Sequence, residues 1–390
     1  MKRVPLAATA LLASALLVTG CAATVTRASS TTSASSEPTT SASNSATAVD
    51  TSATSGDIDW SDLPTTEVTL SDDGLTITEA GTYVLSGSTA GQVVVDTDGN
   101  VRVILNGATI ESTDGAAIQV DGAETTVIEL TEGTTNAVSD ASTRSDDQTE
   151  DEEIDGAIYS ADDLIIAGTG TLNVTATFAD GIVGKDDLRI ESGTITLESV
   201  DDGIRGTDSL TISGGTITID AAGDGIKSTN DTDAGEGQLI VSGGDITITT
   251  GDDAVKAEQQ VTITGGTIDI PESVEGIEAP VIVIDGGDIS VTASDDGINA
   301  AASAIVTTGL SITINGGDIS ISMGAGDTDA IDSNGDLTIT GGTIDITAQS
   351  ATDFDGTGTL SGGTLIVNGE QVTELTGQMM GGGMGGGGRP

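Results

Sequence analysis

A short motif recurs down most of the chain and limits what it can fold into. Residues 210–219 read Leu-Thr-Ile-Ser-Gly-Gly-Thr-Ile-Thr-Ile, and close copies begin at Leu239, Val261 and Val281. Further copies start near Ser311, Leu337 and Leu360, with looser ones at Leu164 and Leu188. Each is followed by a second element, such as Asp180-Gly-Ile, Asp202-Gly-Ile, Asp224-Gly-Ile, Asp253-Ala-Val, Glu275-Gly-Ile, Asp296-Gly-Ile and Asp329-Ala-Ile. From Asp180 the acidic position returns after 22, 22, 29, 22 and 21 residues. A unit of that length is too short for a strand–helix–strand crossover, which takes about 30 residues or more, and it suits one coil of a solenoid.

Within a coil, Leu210 and Ile212 alternate with Thr211, and Ile217 and Ile219 alternate with Thr216 and Thr218. Gly214 and Gly215 turn the corner between them, and Ile226 adds a third inward contact. The period of two is that of strands with one buried face. The expected fold is therefore all-β, a right-handed parallel β-helix built as a solenoid of about 22-residue coils. Leucine-rich repeats share this period, but the recurring frame here is Gly-Gly-Thr-Ile, with neither a Leu-and-Asn frame nor a helical segment.

The longer intervals come from insertions at residues 228–238, 301–309 and 139–153, and such excursions leave one face of a stack. Residues 66–130 carry the same ingredients less regularly and read either as starting coils with a cap or as a separate small β-domain. Composition agrees with a thin core. There are 55 Gly and five aromatic residues, Trp60, Tyr83, Tyr159, Phe178 and Phe354, and β-branched side chains with tight glycine turns replace the aromatic packing of a thicker domain.

The two ends read differently. Lys2 and Arg3 precede an apolar run from Leu6 to Val18, ending in Val18-Thr19-Gly20-Cys21. The run is short for a membrane span and fits a secretory signal. Cys21 is the only cysteine and stands where a bacterial lipoprotein signal places its lipidated residue, so two acyl chains on Cys21 would hold the protein at a membrane surface. The expected organisation is a lipoprotein signal peptide at residues 1–20, a Ser/Thr-rich tether at 21–57, the β-helix at 58–376, and a Gly/Met-rich disordered tail at 377–390. The expected localisation is the extracytoplasmic face of the cell membrane.

The chain carries 62 acidic and 11 basic residues, a formal net charge of −51. That field repels nucleic acid and favours cations. With coils in register, Asp180, Asp202, Asp224, Asp253, Glu275 and Asp296 form a column of carboxylates one strand spacing apart, whose mutual repulsion must be offset. Asp201, Asp252 and Asp295 double the acid at three corners, and Asn230, Asp231 and Asp233 lie in the adjoining insertion. Oxygen donors in a chain without histidine select Ca²⁺ over zinc or iron. The candidate metal ligands are Asp201, Asp202, Asp224, Asp252, Asp253 and Glu275. The competing reading has each Asp capping its own Asp-Gly turn through a backbone N–H.

Arg205, Lys227 and Lys256 each follow a column acid by three residues and form a second ladder. They either neutralise neighbouring carboxylates or receive the carboxylates of an acidic polysaccharide. A lysine acting as base at C5 of a uronate would be lyase chemistry, but the surrounding acids push its pKa the wrong way.

The Cys21 motif, the tether, the opening Leu70-Ser-Asp-Asp-Gly-Leu-Thr-Ile-Thr, the segment Gly81-Thr-Tyr-Val-Leu-Ser-Gly, the Asp-Gly-Ile and Gly-Gly-Thr-Ile repeats and the Met-Gly tail together resemble the bacterial family of carbohydrate-binding domain-containing proteins. The resemblance covers roughly Trp60 to Arg389. It implies a right-handed parallel β-helix like that of pectate lyases, bound calcium, and affinity for cellulose and pectic polysaccharide. The scarcity of aromatic platforms for sugar rings makes a Ca²⁺-bridged polyuronate a better fit than crystalline cellulose. The expected function is non-catalytic, Ca²⁺-dependent binding of plant cell-wall or other extracellular polysaccharide. A polysaccharide lyase and a structural acidic surface rod are the alternatives.

Overall fold

A computed structural model describes residues 53–144, 154–324 and 328–377. The expected signal peptide, Cys21, nearly all of the tether, part of the 139–153 insertion and nearly all of the Gly/Met tail lie outside the described residues. No helix among the described residues is long and apolar enough to cross a membrane.

The repeat folds as a parallel β-helix with three strands per coil. In one coil these are Ser209–Ile212, Thr216–Ala221 and Ile226–Ser228; in the next they are Gln238–Val241, Asp245–Thr250 and Val255–Ala257. Each strand pairs in parallel with its equivalent one coil on, giving a first, second and third sheet along the stack. The third has 12 described strands, from Leu75–Ile77 to Ser350–Phe354.

Register makes the core. Leu188, Leu210, Leu239, Val261, Ile282, Ile312 and Leu337 stack in the first sheet. Ile195, Ile217, Ile246, Ile268, Ile289, Ile319 and Ile344 stack in the second. Ile204, Ile226, Val255, Ile277, Ile298 and Ile331 stack in the third. All of these side chains are buried. Each contributes about 1.5–3 kcal/mol through removal of apolar area from water, but only when a neighbouring coil covers it.

The corner between the first and second sheets needs glycine. Gly215 has φ of 101°, a conformation other residues rarely adopt, and a Cβ on Gly214 would lie 2.5 Å from the Glu191 carbonyl oxygen one coil back.

The early residues belong to the same stack. Val101–Glu111 runs through the corner, pairing first with Thr126–Leu130 and then with Thr135–Ser139. Around Pro271 the second sheet carries a bulge, with register shifting between Ile270 and Ser273. At the far end Thr364–Val367 folds back on Glu370–Val372 as an antiparallel hairpin, turning at Asn368 (φ 52°) and Gly369 (φ 83°).

The last residues assigned to the tether pack on the solenoid. Ser55–Asp57 form a 3-10 turn, Ser55 N–H donates to Glu191 Oε1 at 2.9 Å, and Arg189 Nε donates to the Ala53 carbonyl at 3.3 Å. Arg102 stacks over Trp60, 5.0 Å from the ring centre.

Candidate functional site

The acidic positions lie at the turn that enters the third sheet, where a Gly or Ala follows each acid. In-register stacking there does more than bring carboxylates together. Asp180 Oδ1 accepts the backbone N–H of Asp202 at 3.1 Å, Asp202 Oδ1 that of Asp224 at 2.8 Å, and Asp224 Oδ1 that of Asp253 at 3.1 Å. Asp296 Oδ1 does the same for Asp329 at 3.0 Å. Turn capping therefore occurs, but each of these four acids serves the coil ahead of it rather than its own turn. The return bonds are backbone: Gly181, Gly203 and Gly225 N–H donate to the carbonyls of Asp202, Asp224 and Asp253 at 2.8–2.9 Å.

The second carboxylate oxygens meet the basic ladder. Arg205 bonds Asp180 Oδ2 at 2.8 Å and also pairs with Asp155. Lys227 pairs with Asp202 and, at 3.2 Å, with Asp224. Lys256 lies 2.6 Å from both Asp253 Oδ2 and Glu278 Oε2. All three bases thus neutralise acids of their own coil or of coils one or two steps away.

Burial and charge set the protonation of these groups. Burial raises the Asp180 carboxyl, against the opposing pull of Arg205, to about 6. Burial also raises Asp224 and Asp253, partly countered by Lys227 and Lys256 respectively. Glu275 rises to about 8 through burial and the neighbouring charge of Glu278. Burial alone would lower the Lys227 ammonium, but the hydrogen bond and charge of Asp202, with Asp224, outweigh it and hold the pKa above that of an ordinary lysine. Lys256 is held high in the same way by Asp253 and Glu278.

Three clusters bring carboxylate oxygens within 4.8 Å of one another: Asp180, Asp201 and Asp202; Asp224, Asp252 and Asp253; and Asp253, Glu275 and Glu278. All six sequence-derived ligand candidates fall in them. Sequence reasoning left out Asp180 and Glu278. The signal for Asp180 was its place at the head of the column; for Glu278 it was the position three residues after the column acid, where other coils carry Arg or Lys.

Asn230 does not serve the site: its Nδ2 donates to Asp208, and its Oδ1 accepts the N–H groups of Thr232 and Asp233. The donor sets fit a hard divalent cation, being carboxylate oxygens only, and the acids outnumber the bases beside them. A depression of about 270 Å³ over the first cluster holds Asp155, Asp180, Asp201 and Asp202 against Arg205 and Lys227. A second, of about 290 Å³, lies where Lys256 meets Glu278, between the insertion bearing Asp231 and the insertion 301–309.

Comparison with known proteins bears on this geometry. A family described as carbohydrate-binding domain-containing protein matches residues 71–328 and, in an overlapping second match, 272–377. A carbohydrate-binding domain-containing protein of Acetivibrio thermocellus is 35% identical over 135 residues, 34% of this chain and 47% of that protein. The chain thus spans about half the length of that curated relative. A solved structure of the polysaccharide lyase-like protein from C. thermocellum, a gadolinium derivative, superposes with a TM-score of 0.51 at 31% identity, covering 57% of this chain and 92% of the other.

Proposed function

Because the chain belongs to the bacterial family of carbohydrate-binding domain-containing proteins, we propose that it binds acidic, polygalacturonate-like polysaccharide in a Ca²⁺-dependent way along the outer face of the third sheet. The observation that carries this reading is the stepwise repetition of three-carboxylate clusters beside Arg205, Lys227 and Lys256.

Ca²⁺ would be held by Asp201 and Asp202 with Asp180 and by Asp252 and Asp253 with Asp224; in the third cluster Glu278 is engaged by Lys256 and is not counted among the ligands. A bound Ca²⁺ would supply positive charge on which a uronate carboxylate can complete the coordination shell. The chain's own part is to fix the carboxylates. Each Oδ1 in the unbroken stretch of the ladder is tied to the next coil, so the acids present their remaining oxygens in fixed positions, and Arg205, Lys227 and Lys256 hold down repulsion between steps. A cation that took over an acid's outer oxygen would leave the base now paired with it available to a ligand carboxylate.

The lyase alternative asks Lys227 or Lys256 to give up its proton near neutral pH, whereas the paired acids hold both ammonium groups above the usual lysine range. Binding without turnover is the stronger reading. With Cys21 lipidated and residues 21–52 as tether, the solenoid would be displayed outside the cell membrane.

Retention on immobilised de-esterified polygalacturonate, with and without a chelator, tests the proposal. Retention only with Ca²⁺ is expected. Equal retention in both would remove the calcium bridge, and no retention in either would remove the polyuronate.

A further inference from the structure

The outward residues of the third sheet form a single in-register column: Tyr159, Val183, Arg205, Lys227, Lys256, Glu278, Asn299, Asp332 and Asp353. Its chemistry changes twice. Tyr159 and Val183 pack with Ala116 in a small apolar cluster, three bases follow on three successive coils, and from Glu278 onward the column has no base. Bases are scarce beyond the column too. From residue 257 to the C-terminus there are 19 acidic side chains and one basic, Arg389.

Glu278 is the residue at the reversal. Its carboxylate holds the Lys256 ammonium at 2.6 Å, so it competes directly with any ligand carboxylate for the last base of the ladder. The depression beside it is lined by three acids, Asp231, Glu258 and Glu278, against the single base Lys256, together with Ala257, Ala279 and Pro280. Such a surface disfavours a second carboxylate and accommodates an uncharged ring.

The geometry points to a binding track three acidic sugars long, closed by the apolar cluster at one end and by Glu278 at the other, so that the protein reads a short uronate block followed by a neutral sugar. This rests on the polyuronate reading above and adds its length and its specificity-determining residue. Coils spaced by about 4.8 Å advance at nearly the pace of rings in an extended pyranose polymer, so Arg205, Lys227 and Lys256 each face one ring. A fourth uronate meets the carboxylate of Glu278. A fourth ring without charge meets the Ala and Pro side chains of that depression.

Calorimetric titration of the protein with oligogalacturonides of two to six rings, at fixed Ca²⁺, tests this. Affinity is expected to rise from two rings to three and then stay level. In Glu278→Gln the fourth ring should tighten binding by about threefold, the scale of one partly exposed charge contact. In the wild-type protein, a tetramer methyl-esterified at one end should bind more tightly than the unesterified tetramer for one of the two ends. Affinity climbing evenly to six rings, or the same length profile in wild type and Glu278→Gln, would overturn the three-ring track while leaving the polyuronate reading intact. No binding of any oligomer in Ca²⁺ would overturn both. Unchanged circular dichroism of Glu278→Gln confirms that the comparison is between folded proteins.

Discussion

Asp202 Oδ1 accepts the backbone N–H of Asp224 at 2.8 Å, across the gap between two coils. The two residues are 22 positions apart in sequence, so the bond reports stacking and not a local turn. Asp202→Ala removes an acceptor for a buried donor and takes one of two carboxylates from Lys227. The expected loss is about 1–2 kcal/mol of stability, read as a lower urea midpoint at unchanged slope. Asp202→Asn keeps the acceptor and should recover part of the loss. Equal losses in the two variants would mean that the ion pair, not the cap, is what matters.

Stability should fall with rising pH in metal-free buffer. Glu275 is raised from 4.5 to about 8, first by burial and then by Glu278; Asp332 is raised from 3.8 to about 6, first by burial and then by Asp296 and Asp329. A carboxyl whose folded pKa exceeds its unfolded value binds more protons when folded. Its favourable contribution is complete below the unfolded pKa and is lost as pH rises through the folded one. The melting temperature in chelator is therefore expected to drop between pH 5 and 9. Glu275→Gln should flatten the upper part of that drop. A profile that rises over the same range would contradict the assignment.

Calcium should raise the melting temperature progressively. An ion that binds only the folded state adds about 2.7 kcal/mol when free ion is a hundredfold above its dissociation constant. Chelation should loosen the carboxylate corner and residues 228–238 while the β signal in circular dichroism persists at room temperature, because the inward columns do not depend on the ion. Asp224→Asn combined with Asp253→Asn should abolish much of the response. A melting curve identical in chelator and in excess Ca²⁺ would show that Lys, Arg and backbone N–H groups already satisfy the acids.

Gly225→Ala should destabilise. A Cβ there would lie 2.3 Å from Ile248 Cγ2 and 2.6 Å from the Ala254 carbonyl oxygen, so the next coil must shift. The expected cost is about 1–3 kcal/mol, measured by urea unfolding. No loss would show that the coil spacing can relax locally.

Much of this was legible in the sequence because the fold repeats. A period of two within strands and of 22 between acids names the inward residues and the column, and Ile217, Ile219 and Ile226 lie inside as that pattern requires. Hydrogen-bond direction was not legible. Whether Asp224 caps its own turn or the next coil depends on a rotamer and on a neighbour that sequence spacing does not specify. Asn230 looked like a spare oxygen ligand because composition cannot show that a loop has spent it on its own backbone. Glu278 escaped notice because its significance lies in differing from Lys256 one coil earlier, which only register makes visible. The packing of Ala53 and Ser55 on Arg189 and Glu191 had no pattern to announce it, since Ser, Thr and Ala carry no periodic apolar stripe.

The hairpin at Thr364–Val372 works as a stopper. A parallel stack ends in a row of unpaired backbone donors and acceptors that would accept another strand, including one from a second molecule. By folding antiparallel onto Thr364–Val367, the segment Glu370–Val372 occupies that row over part of the final coil, and its Glu370 places a charge at the rim. Addition of a further strand is blocked over that part of the coil, so the hairpin guards the molecule against growing end to end into fibres.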